Sequence, residues 1–275
     1  MAMAAMAAAT ATTQQPQSIG GFALLPAPGR RHRLVVSVAG LDKSGKTNFA
    51  LTSPGPIAYA NFDTGLEGVV DKFRKDGKQV YSNDYRVVLP PGVSDPTAVS
   101  AIGNKMWEEY KADVRAALKS PLIRTIVTDT ESETWELVRI ARFGKLAQVM
   151  PHHYGPVNAE YRNFMNEVYD TDKNLVLLGR MKDEWENTVN AQGKEVGRKT
   201  GKLERVGMKD IPYIVQLNAI ARFDPFAEDG NRFSLEIVNC RQNSSLCGLV
   251  LPQDLCTFAQ IASLVYMDSD EREWQ

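Results

Sequence analysis

The sequence predicts an α/β protein with a mostly parallel central sheet flanked by helices and hairpin-like antiparallel strands towards the C-terminus. Three observations predict it. Short apolar, β-branched runs recur along the chain, as in strands buried on both faces. Between them lie segments with apolar residues at three- and four-residue spacing, so strands alternate with helices. A glycine-bounded turn also joins the first convincing run directly to a helix start.

In chain order, Leu34 to Val38 is the first strand, and the helix starting at Lys46 ends before Pro54 and Pro56. Ile57 to Phe62 is the second strand, ending at Asp63. Arg86 to Leu89 reads as the third, stopped by Pro90 and Pro91. A helix is expected from Pro96 to Leu118, with Ile102, Met106, Tyr110, Val114 and Ala117 on one face. The fourth strand runs from Ile123 to Val127 and ends at Asp129, and a helix follows from Trp135 to Val149. Pro156 suits a first helical turn, and that helix buries Tyr161, Phe164, Met165 and Val168. Leu175 to Leu178 is the fifth strand, residues 186–209 form a polar loop or hairpin, and Ile214 to Phe223 and Phe233 to Cys240 are strand-like.

One domain is expected over residues 34–266. Residues 1–33 are rich in Ala, Thr, Gln and Pro, lack acids, and close on Arg30, Arg31 and Arg33. They read as a disordered tail, though an organelle transit peptide has a similar composition. Residues 267–275 read as a short acidic tail. Among 275 residues, 43% are hydrophobic and 24% charged, ordinary for a globular protein. The net charge of −1 makes no global case for nucleic acid, so any such binding needs a local basic patch. No apolar run reaches the roughly 20 residues needed to span a membrane. Cys240, Cys247 and Cys256 form no CxxC pair, which argues against zinc and suits a reducing cytoplasm. His152 and His153 have no cysteine or carboxylate cluster around them.

Gly40-Leu41-Asp42-Lys43-Ser44-Gly45-Lys46-Thr47 matches the phosphate-loop pattern G-x-x-x-x-G-K-[ST] in full. The glycines allow the backbone path that aims successive N–H groups at phosphate oxygens. Lys46 offers an ammonium to the β- and γ-phosphates, the Thr47 hydroxyl suits Mg²⁺, and the helix through Asn48 adds its positive end. ATP with Mg²⁺ is therefore the expected ligand. Lys43 adds a charge in the loop that either touches phosphate or is solvated.

Mg²⁺ also needs a carboxylate at a nearby strand end, and Thr125-Ile126-Val127-Thr128-Asp129 supplies one in Asp129. Hydrolysis further needs a group that orients or deprotonates water. Asp63, expected to end a strand beside that of the phosphate loop, ranks first, followed by Glu67 and Glu131, with Glu133 also available.

Together these segments resemble RecA-like ATPases, especially small phage-encoded ATP-binding proteins related to RecA and Rad-type recombinases. The likeness rests on Gly40–Thr47, Asn61-Phe62-Asp63-Thr64, Val127-Thr128-Asp129-Thr130, Tyr154-Gly155-Pro156-Val157-Asn158, and the strand Leu175 to Arg180 running into Met181-Lys182-Asp183-Glu184. It spans roughly residues 33–250. The resemblance implies an ATPase that forms a homo-oligomeric ring or filament in the cytoplasm, the host's if phage-encoded, with organelle targeting left open. It implies a γ-phosphate sensor at the end of the fifth strand, where Arg180 stands in place of the usual amide. It also implies an arginine finger near the last strand, for which Arg241 is available, and DNA-contacting loops after the fourth and fifth strands. Lys194, Arg198, Lys199, Lys202 and Arg205 lie in the latter region, with Trp185 able to stack on a base. The leading expectation is ATP-driven action on single-stranded DNA in recombination or strand annealing. A nucleotide-gated regulatory or assembly ATPase that never touches DNA is the alternative. A small-molecule kinase is disfavoured because no lid-like Arg-rich insertion is visible.

Overall fold

The structure, a computed structural model, describes residues 18–19, 22–23, 32–86, 88–144, 149–189, 194–227 and 230–274. The chain divides into two units, Met1–Arg31 and His32–Gln275. In the first, β1 (Ser18–Ile19) pairs antiparallel with β2 (Phe22–Ala23). The tail expected there lies otherwise almost wholly outside the described residues.

The second unit carries β3 (Val35–Gly40), β4 (Ile57–Asn61), β5 (Val80–Asp84), β6 (Thr125–Asp129), β7 (Asn174–Val189), β8 (Glu195–Arg205), β9 (Leu217–Phe223), β10 (Phe233–Cys240) and β11 (Val250–Pro252). Its helices are α1 (Lys46–Leu51), α2 (Val69–Lys75), α3 (Pro96–Lys119), α4 (Glu131–Phe143), α5 (Tyr154–Asn166), α6 (Ile211–Ile214) and α7 (Phe258–Val265). The sheet order is β11-β10-β9-β3-β7-β6-β4-β5. From β9 to β5 every pairing is parallel; β10 and β11 extend the sheet antiparallel. The fold is thus α/β, mostly parallel, with antiparallel strands towards the C-terminus, as the sequence predicts.

Alternation along β3 divides the core. Val36 and Val38 face a cluster with Phe49, Leu51, Phe258, Ile261 and Trp274, whereas Val35 faces Trp107, Leu137, Tyr161 and Leu177. Local signals set the helix starts. Asp95 accepts from the Ala98 amide at 2.8 Å ahead of Pro96, and Thr130 accepts from Glu133 N at 3.3 Å immediately after the Asp129 strand.

Several expectations need correction. Val80–Asp84, rather than Arg86 to Leu89, is the strand on this side of the sheet; among the described residues, Arg86, Val88 and Leu89 are not strand. An edge strand buries little, and β5 is mostly exposed, so it carries no apolar run to read. The helix expected from Trp135 to Val149 begins earlier, at Glu131, and ends at Phe143; residues 145–148 lie outside the described residues. The acidic segment after residue 266 belongs to the fold. Trp274 is 2% exposed and stacks on Tyr266, with ring centroids 5.6 Å apart. Asp63's strand does not lie beside that of the phosphate loop, because β7 and β6 intervene.

Candidate functional site

The strand ends converge on a cleft of about 760 Å³ lined by Gly40, Asp42 to Asn48, Asp63, Asp129, Arg180 and Phe233. Leu41, 48% exposed, is outside it, and Glu67 is exposed beyond the turn after β4. The loop's conformation explains its residues. Gly45, immediately before α1, has φ of 86°, a left-handed value that strains any other residue. Lys46 Nζ donates to Gly40 O at 3.1 Å and Leu41 O at 2.6 Å. Burial lowers the Lys46 pKa against the raising effect of Asp129 and Asp42. Lys43 is exposed, with φ of 57°.

The second half of the cleft is built from buried oxygens. Thr47 Oγ1 donates to Asp129 Oδ2 at 3.0 Å, and the buried Tyr59 hydroxyl donates to the same oxygen. Asp129 is 3% exposed, and burial raises its pKa despite both hydrogen bonds. Its negative charge, added to burial, raises the Tyr59 pKa. Gly65 leaves the approach open, since a Cβ there would stand 3.3 Å from Thr47 Oγ1 and 3.8 Å from Asp129 Oδ2. A hydroxyl and a desolvated carboxylate behind a side-chain-free approach are hard oxygen donors of the kind Mg²⁺ takes. The residues therefore fit that ion.

Asp63 reaches the same cleft across the two intervening strands. It accepts from Thr64 N at 2.5 Å and from Arg180 Nη2 at 3.0 Å. Burial acts to raise its pKa, but these donors outweigh it and the carboxyl is held below its ordinary value. The lowered pKa favours the ionised form of Asp63. Arg180 also pairs with Glu133. Its own amide donates to Ser132 Oγ at 2.9 Å, and that hydroxyl donates to Val206 O at 2.8 Å. The cleft and the root of the β7–β8 hairpin are therefore bound to one another through the first turn of α4.

Glu131 does not stand where a base is needed. It is 0% exposed, does not line the cleft, and faces Arg205 at 3.7 Å and Tyr161 OH at 3.5 Å. Burial pushes its carboxyl up to about 7. Arg205 likewise is no surface cation. Its guanidinium bonds to Ser37 Oγ and packs over Gly179, where a Cβ would approach Nη2 to 2.7 Å. Burial lowers its pKa, and the pair anchors the hairpin beneath the sheet.

The rest of the hairpin is exposed but nearly charge-balanced. Apart from Arg205, residues 181–204 hold five cations and five carboxylates. Pairing sets Lys199 against Asp183, and Lys182 against Glu204 at 3.1 Å. The Lys199 ammonium lies 5.5 Å from the ring centroid of Trp185, itself 59% exposed. Arg198 and Lys202 make no ion pair among the described residues. Lys194 also stands on this exposed hairpin, just before β8.

Arg241 follows β10, whose first residue, Phe233, lines the cleft and whose last, Cys240, pairs with Leu217 at the start of β9. Arg241 is therefore at the opposite end of the strands from its own phosphate loop. There it donates to Tyr213 O at 2.7 Å and shares a pocket with Arg162 and Asp210.

No protein-family model and no curated protein matches this sequence. Among solved structures, the chain is similar to a KaiC-like protein of the archaeon Pyrococcus horikoshii OT3, with 13% identity and a TM-score of 0.39 over 80% of this chain and 84% of that one. So loose a superposition transfers no residue role.

Reading the sequence missed Tyr59, Ser132 and Phe233 as site residues. Tyr59 carried a usable signal, because a tyrosine in a mostly apolar, buried strand needs a partner for its hydroxyl. Ser132 and Phe233 depend on strand order, which no local pattern encodes. Among the described residues no cluster of His, Cys, Asp or Glu suits a transition metal, and no helix is long and apolar enough to cross a membrane.

Proposed function

We propose that this chain is a Mg²⁺-dependent, RecA-like ATPase whose hydrolysis is coupled to the β7–β8 hairpin and regulated by single-stranded DNA. The observation that carries the reading is the Thr47–Asp129 hydrogen bond at 3.0 Å, beside Lys46 at the mouth of a parallel sheet. Gly40 to Asn48 hold the phosphates through backbone N–H groups and the α1 N-terminus. Thr47 and Asp129 hold the ion, which when bound neutralises charge on the phosphate oxygens. Lys46 supplies a second positive charge, Asp63 orients the attacking water, and Arg180 faces the terminal phosphate.

Arg180 gives the coupling its route. It contacts Asp63 and Glu133, and its backbone is bonded to Ser132, which also holds Val206 at the end of the hairpin. A change in Arg180's partners is thus felt at the hairpin root. Trp185 with Lys199, flanked by Arg198 and Lys202, offers a stacking surface with phosphate-binding cations. Arg241, remote from its own loop, serves a neighbouring copy in a homo-oligomer.

The near balance of charge on the hairpin favours a second reading, an assembly ATPase whose hairpin docks protein. ATP hydrolysis by the purified chain at low salt, with and without single-stranded DNA, separates the two. Stimulation by DNA supports the first. Hydrolysis indifferent to DNA, with assembly dependent on ATP, supports the second.

A further inference from the structure

Phe233 has no part in phosphate or ion binding, yet it forms one wall of the cleft. It is half-buried, and its ring packs against the phosphate loop, where a Cβ on Gly45 would meet Phe233 Cδ1 at 3.0 Å. Phe223, opposite it across the β9–β10 pairing, packs against the ring at a centroid distance of 4.9 Å.

Strand order gives this wall its meaning. The groups suited to the ion and the terminal phosphate, Asp129, Asp63 and Arg180, stand on or just after β6, β4 and β7, on one side of β3. Phe233 stands on the other side, beyond β9. With the terminal phosphate at the first side and the loop and α1 cradling the phosphates over β3, the nucleoside end extends towards Phe233.

We infer that Phe233 is the base-contacting residue of the cleft, its ring stacking on the nucleobase with Phe223 as support. The inference rests on the nucleotide reading of the phosphate loop. It makes the cleft a site for a nucleoside triphosphate rather than for an inorganic polyphosphate, and it assigns that distinction to one side chain. Stacking on an aromatic face is favourable for any base and strongest for the larger purines.

The test compares two probes on the full chain by calorimetric titration in Mg²⁺: a non-hydrolysable ATP analogue and inorganic tripolyphosphate. In Phe233→Ala the analogue is expected to bind roughly tenfold or more weakly, with tripolyphosphate affinity unchanged. Phe233→Trp is expected to keep wild-type analogue affinity. Phe233→Leu, which keeps apolar volume against Gly45 and Phe223, guards against a folding artefact and is expected to lose analogue affinity selectively. Unchanged analogue affinity in both the alanine and leucine variants overturns the inference while leaving the phosphate loop intact. Equal loss of both probes overturns it too, because Phe233 then acts through the loop. A wild-type chain that binds neither probe overturns the loop reading, and the inference with it.

Discussion

Replacing Glu131 with glutamine isolates the buried charge beneath the hairpin. The Glu131 carboxyl is fully buried, and its pKa rises from an ordinary 4.5 to about 7, because burial outweighs the attraction of Arg205. In the unfolded chain it ionises near the ordinary value, whereas in the folded chain it keeps its proton to about pH 7. The folded state therefore binds more protons between these limits, and its stability falls as pH rises through them. At about 1.4 kcal/mol per pH unit, the contribution is about 3 kcal/mol, complete below about pH 4.5 and gone above about pH 7. Glutamine mimics the protonated acid and carries no such dependence. Urea unfolding followed by tryptophan fluorescence, from pH 5 to 8, gives the difference in stability between the two chains. Most of the 3 kcal/mol should appear as a drift of that difference in favour of the variant as pH rises. Stability curves that stay parallel across the window would refute the assignment of a protonatable, desolvated Glu131.

Three further outcomes are expected. Asp129→Asn should still accept from Thr47 and Tyr59 yet lose the ion's anionic ligand, so turnover should fall roughly a hundredfold while the chain stays folded; single-turnover hydrolysis and a melting curve check both. Trp274→Ala should cost about 3 kcal/mol in urea unfolding, because the ring is 2% exposed against Tyr266 and Phe258; a loss near zero would return the C-terminal segment to a tail. Arg198→Gln with Lys202→Gln should weaken single-stranded DNA binding and shrink the slope of log affinity against log salt by about 1.4. An unchanged slope would remove both residues from the phosphate contacts.

The features legible in the sequence are those with a local pattern. Val35 to Gly40 and Thr125 to Thr128 declare themselves as buried strands because each residue is apolar, small or β-branched, and Gly40 to Thr47 carries its spacing in eight consecutive positions. Features that depend on strand order or cross-strand pairing are not legible in this way. Arg205 reads as one more cation in a basic run, and only pairing carries it beneath the sheet to Ser37 and Glu131. Lys182 and Lys199 look like free charges until the β7–β8 pairing sets Glu204 opposite Lys182 and brings Asp183 within ion-pair reach of Lys199. Glu131, two residues after Asp129, looks like a base because proximity in sequence suggests proximity in space. The first turn of α4 instead carries it under the hairpin. The edge strand β5 is hidden for the opposite reason, because it buries too little to leave an apolar signature.

Whether Lys46, Thr47 and Asp129 form a working nucleotide site is decided by hydrolysis of ATP by the wild-type chain and by Lys46→Ala, each in Mg²⁺ and in excess EDTA. The expected outcome is turnover by the wild-type chain in Mg²⁺, loss of it in EDTA, and a fall of roughly a hundredfold or more in Lys46→Ala. A Lys46→Ala chain that hydrolyses ATP at the wild-type rate would contradict it.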